Sequence, residues 1–171
     1  MHESRKEKLE TFERMLRSFQ RLSFILAYPA LLSLVAASMA ITYPDLTPSM
    51  SLGATAALSV YVAANPMTAK PLYDGLILVA IGVAILAGYA FLSMRLVKNH
   101  EKAWPIYVGL GVYAADTVFL AISAIPNLPW HFLDWRYYLN LGIHVIFFVL
   151  YGLLIRSHIK LTRYEKELLG E

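Results

Sequence analysis

Hydrophobic positions in this chain gather into four long runs, at 22–41, 75–94, 104–125 and 137–155. Each run is close to the ~20 residues that a helix rising ~1.5 Å per residue needs to cross ~30 Å of hydrocarbon. The predicted fold is all-α, an integral membrane four-helix bundle over 22–157. A cytoplasmic amphipathic tail over 1–21 precedes it and a cytoplasmic C-terminal tail over 158–171 follows.

A fifth uncharged stretch, 49–64, is rich in Ala, Ser and Val, and lies between Pro44 and Pro48 on one side and Pro66 and Pro71 on the other. As a helix it reaches only ~24 Å, which is short for a span. Charge decides against its crossing. With four spans, thirteen of the fifteen Lys and Arg residues fall on one side, in the N-terminal tail, the loop holding Arg95, Lys98 and Lys102, and the C-terminal tail. Only Lys70 and Arg136 fall on the other. Insertion retains basic residues on the cytoplasmic side, so both termini are expected there, in a multi-pass protein of the cell membrane. With five spans the division becomes eight against seven and the bias vanishes. The segment 49–64 is therefore read as a re-entrant or interfacial helix on the outer side. Its Ser51, Thr55 and Ser59 form a small polar face suited to helix packing.

The N-terminal tail starts with the capping-box spacing of Ser4 and Glu7, and Leu9, Phe12, Leu16 and Phe19 then recur at helical spacing. Arg14, Arg17 and Arg21 interleave with them, the pattern of a helix lying on the inner leaflet before it turns into the first span. In the C-terminal tail Leu161, Tyr164 and Leu168 mark one side of a helix running out of the fourth span. On the outer side Trp130, Phe132, Trp135, Tyr137 and Tyr138 have the composition of an interfacial aromatic belt.

Composition narrows the class further. A hydrophobic content of 58% and a mean hydropathy of +0.53 are too apolar for a soluble domain of this size to hide. The net charge of +3 and pI near 9.1 come from basic residues beside span ends, where retention and anionic headgroups explain them without nucleic acid. With no Cys there is neither a disulfide nor a thiolate metal site. The first apolar run is too long for the core of a cleavable signal peptide.

One charged residue lies deep within a span. Asp116, in Tyr113-Ala114-Ala115-Asp116-Thr117, sits ~14 Å below the outer end of its run, and His144 lies ~10 Å below the outer end of the next. Asn140 is one turn above His144. A carboxylate at mid-membrane costs ~2.5–3.5 kcal/mol on insertion scales, so Asp116 must face protein or water. The candidate intramembrane polar site is Asp116, His144, Asn140, Tyr113 and Thr117. Two uses fit it, a proton-titrating or ion-coordinating pair and a structural hydrogen bond between helices, and the second is favoured because no other acidic residue occurs within the spans.

His131 and Asp134 are two ligands without a third, and His100-Glu101 lacks the second His of a zinc helix, so no metal and no cofactor is expected. His-Glu-x-x-His, Gly-x-Ser-x-Gly and glycine-rich phosphate loops are all missing. Small residues recur at Ala80, Ala84 and Gly88, and again at Gly111 and Ala115, in stripes that suit either internal packing or an oligomer interface. The favoured function is a non-enzymatic accessory, assembly or regulatory subunit of a membrane complex, whose partners are the lipid bilayer and another membrane protein or a second copy. Alternatives are an oligomeric proton- or ion-coupled transporter or channel subunit using Asp116 and His144, and an intramembrane lipid-active enzyme.

Overall fold

A computed structural model describes residues 5–42, 71–124 and 135–170, and every regular element among them is helical. Helix α1 covers Arg5–Ser23, a single 3₁₀ turn covers Phe24–Ala27, and α2 covers Tyr28–Thr42. Helices α3 (Pro71–Lys98), α4 (Trp104–Ala124) and α5 (Trp135–Leu169) complete the set. The segment 49–64, and with it His131 and Asp134, lies outside the described residues.

The junction between α1 and α2 is set by Pro29. A proline has no N–H to donate to the carbonyl of Ile25 four residues back. That carbonyl instead accepts from the Tyr28 N–H, three residues on, which tightens the backbone into the 3₁₀ turn. The first expected span, 22–41, is therefore a continuous apolar path with a break at 24–27. The Ser93 hydroxyl on α3 donates to the Ser23 carbonyl (3.0 Å), and the Ser23 hydroxyl donates to the Phe19 carbonyl (2.9 Å). Both buried serines at the break thus have partners within the protein, as burial requires.

Helices α2 and α3 pack closely where Gly82 meets Leu34: a Cβ at Gly82 would lie 3.2 Å from Leu34 Cδ1. A tight turn follows α3, with the Lys102 N–H on the Asn99 carbonyl (3.1 Å). The Ala103 carbonyl then accepts from Ile106 (3.0 Å) to start α4, whose second residue, Pro105, occupies a first-turn position that needs no donor. Helix α5 closes with Gly170 in the left-handed conformation (φ 78°), its N–H on the Lys166 carbonyl (3.0 Å), a glycine cap that most other residues would strain.

Three helical stretches among the described residues, Arg5–Val35, Gly75–Lys98 and Leu141–Leu169, are long and apolar enough to cross a membrane. Polarity is distributed accordingly. Ser23, Ser33, Ser93, Asp116 and His144 are buried, whereas Val145, Ile146 and Val149 on α5 are each more than half exposed. An apolar exterior around a polar-containing interior is what lipid stabilises and water does not. Helix α4 has 21 residues, ~32 Å as a helix, which matches the expected third span. At 35 residues, ~52 Å, α5 is far longer than a bilayer core, and its C-terminal part carries Arg156, Lys160, Arg163 and Lys166.

Helix α1 differs from the expectation in what covers its apolar face. Phe19 is fully buried, and Phe12, Met15 and Leu16 pack onto the same core. The Phe19 ring lies 5.7 Å from that of His158 on α5, and the Tyr164 hydroxyl donates to the Lys8 carbonyl (3.4 Å). The apolar sides of the two tails thus cover each other, with Leu161 fully buried between them and the core. Of the two uses open to the small-residue stripes, internal packing is not the one seen. Ala80, Ala84 and Gly88 on α3 and Gly111 and Ala115 on α4 are exposed, and nothing lies within 4 Å of a Cβ built on Gly88 or Gly111. Close approach inside the bundle belongs to Gly82 and Gly109.

Candidate functional site

The deep polar residues of the third and fourth runs come together. Asp116 on α4 and His144 on α5 place Oδ2 and Nε2 3.8 Å apart, with side chains 8% and 3% exposed. Tyr113, one turn before Asp116, stacks on the His144 ring at 5.2 Å between centroids and 18° between planes. Three further rings close around Tyr113: Phe147 and Phe148 edge-on at 5.8 and 5.3 Å, and Tyr151 tilted at 5.7 Å. Tyr113 of α4 thus covers the His144 ring and is itself packed among rings of α5.

The local sequence explains the grouping. His144, Phe147, Phe148 and Tyr151 are at i, i+3, i+4 and i+7, so they share one face of α5. On α4, Tyr113 and Asp116 are three apart and share the facing side. Thr117 belongs to this turn by position, but its hydroxyl donates to the Tyr113 carbonyl (2.9 Å) within its own helix. Asn140 lies one turn before His144 on α5, and its side chain is outside the described residues.

Sequence reasoning did not anticipate Tyr89, Tyr151 and Gly109. The Tyr89 hydroxyl on α3 donates to the Gly109 carbonyl (3.5 Å). A Cβ at Gly109 would stand 3.0 Å from Leu26 Cδ2 and 3.5 Å from the Tyr151 hydroxyl oxygen. Gly109 thus lets α3, α4, α5 and the 3₁₀ turn converge on one point. The i, i+7 relation of His144 and Tyr151 is visible in the sequence and would have placed Tyr151 beside the pair. The approach of Tyr89 depends on how α3 is rotated, which its uniformly apolar sequence does not specify.

Chemically, an imidazole in ion-pair range of a carboxylate offsets part of the cost of burying it, whereas an isolated carboxylate in the same place would be far more costly. The geometry is suited to a lock between α4 and α5 and equally to a proton held within the bundle.

A second polar cluster joins the α3–α4 turn to α5. His100 Nε2 lies 3.3 Å from Glu165 Oε1, both about four-fifths buried, and the Phe12 ring meets His100 edge-on at 6.3 Å. The turn that holds Asn99, His100 and Glu101 is thus anchored by a residue 65 positions beyond His100. The donor atoms of His100, Glu101 and Glu165 lie within 4.8 Å of one another. Three such ligand atoms could together hold a metal ion, and the third, from Glu165, is one that spacing along the chain does not reveal. His158, beyond the basic exit of the fourth run at Arg156, packs against the backbone of His100 and Glu101, and burial holds its pKa below the ordinary histidine value.

Comparison with known protein families, with characterised proteins and with solved structures finds no match for this chain.

Proposed function

We propose that this membrane protein is a non-enzymatic accessory or assembly subunit that uses the outer faces of α3 and α4 to bind a partner helix. The reading rests on one observation: the Ala80, Ala84 and Gly88 stripe lies on the exterior with open space above Gly88. In lipid, helices associate through close backbone approach at small residues, because the hydrophobic effect no longer distinguishes protein from solvent. A stripe turned away from its own bundle is available for that contact. We place the protein in the cell membrane with both termini cytoplasmic, as the basic residues indicate.

Purification in mild detergent followed by mass spectrometry tests this. A stoichiometric partner is expected with the wild-type chain, and Ala84→Leu with Gly88→Leu should release it while changing the chain's own melting temperature little, since both positions are exposed. Retention of the partner by the double variant contradicts the proposal.

The contact between Asp116 and His144 favours a second reading, an oligomeric proton- or ion-coupled transporter or channel subunit. That reading requires the pair to lose and regain its proton during turnover. A homogeneous homo-oligomer that carries ion flux in liposomes, with flux abolished by Asp116→Asn, would establish it in place of the accessory role.

A further inference from the structure

An open groove of about 620 Å³ runs along the N-terminal helix and across its break, lined by Arg14, Arg17, Ser18, Arg21, Leu22, Ile25 and Tyr28. We infer that it is a binding site for an anionic phospholipid, with the phosphate held by the three arginines and the upper acyl chain lying along Leu22, Ile25 and Tyr28.

The groove is amphiphilic in the order a lipid is. Its lining residues recur at three and four positions, so they form one continuous face through α1, the 3₁₀ turn and the start of α2. The basic residues all come from α1, before the turn, where the apolar run has barely begun. The apolar ones lie at and after the entry to that run. The opposite face of α1 is occupied by Phe19 against His158 of α5, Phe12 against His100 and Leu16 against the core, which fixes the helix and leaves the arginines facing outward at the level where the chain enters its apolar helix.

Charge complementarity favours a phosphate. Arg17 reaches Glu13 at 3.4 Å, but both side chains are about two-thirds exposed, and an exposed ion pair of that length is weak. Among the described residues Arg14 reaches the Glu10 carbonyl and the Thr11 hydroxyl, each at 3.4 Å. Phosphate oxygens offer guanidinium groups shorter, two-pronged, charge-assisted bonds. Basic pockets at membrane interfaces recognise acidic headgroups by this chemistry. Inorganic phosphate would satisfy the arginines alone, whereas the apolar half of the groove requires the lipid.

The test is native mass spectrometry of the full chain in neutral detergent, with phosphatidylglycerol and phosphatidylcholine of equal chain length added in competition. The expected result is a preference of at least about tenfold for phosphatidylglycerol, lost in Arg14→Gln/Arg17→Gln/Arg21→Gln and kept in Lys160→Gln/Arg163→Gln/Lys166→Gln, which removes equal charge elsewhere. Equal loss in the two triple variants would show diffuse attraction and overturn the site, as would an unchanged preference in the arginine variant. Displacement of the lipid by millimolar inorganic phosphate would overturn the lipid assignment in favour of a simple anion site. If the arginine triple variant does not yield folded protein, Arg21→Gln alone should lower the preference about fivefold, and full retention in that variant counts against the proposal.

Discussion

Asp116 shows how one residue constrains a membrane fold. Its carboxylate would not remain against lipid, so its partner had to lie at a matching depth on a neighbouring helix, and His144 meets it at 3.8 Å. If the pair is a lock, the damage on mutation comes from stranding one buried polar group, at about 1–3 kcal/mol. Asp116→Leu should therefore lower the melting temperature in detergent more than Asp116→Asn, and Asp116→Leu with His144→Leu should recover part of the loss. A double variant as unstable as the sum of the two singles would show that the groups do not interact. The pair was legible because charge within a span is rare and depth follows from counting residues. Of the surrounding rings, Phe147, Phe148 and Tyr151 were legible from their spacing to His144, whereas Tyr89 was not, because the apolar sequence of α3 leaves its rotation open.

Elements were legible in extent more than in orientation. The runs 75–94 and 104–125 appear as α3 (Pro71–Lys98) and α4 (Trp104–Ala124), and the run 137–155 lies within α5 (Trp135–Leu169). Helical backbone is continuous wherever nothing interrupts its hydrogen bonds, and Pro29 accounts for the one break in the described part of the first run. Rotation about each helix axis carries no such signal, since protein-facing and lipid-facing sides are equally apolar. For that reason the spacing of Ala80, Ala84 and Gly88 left open whether they pack inside the bundle or face outward; they face outward, while Gly82 and Gly109 make the close contacts. Gly109→Leu should destabilise the bundle by about 1–3 kcal/mol through overpacking against Leu26 and Tyr151, and Gly111→Leu, two residues on and open to the exterior, should leave the melting temperature nearly unchanged. Equal losses at the two positions would mean that α4 is rotated differently.

At the scale of the whole molecule, the α3–α4 turn and both tails meet at one end of the described helices. Phe12 touches His100, His100 contacts Glu165, and Tyr164 reaches the Lys8 backbone. These are also the segments that hold thirteen of the fifteen basic residues, which supports the proposed arrangement with both termini and the turn at Asn99 on one side of the membrane. The most direct measurement of that topology uses single cysteines at Asn99 and Asn127 in a chain that has no native cysteine, labelled in intact cells with a membrane-impermeant thiol reagent. The expected result is labelling at position 127 from outside, with position 99 labelled only after the membrane is opened. Labelling of position 99 in intact cells, or of both positions from the same side, would contradict the four-span arrangement.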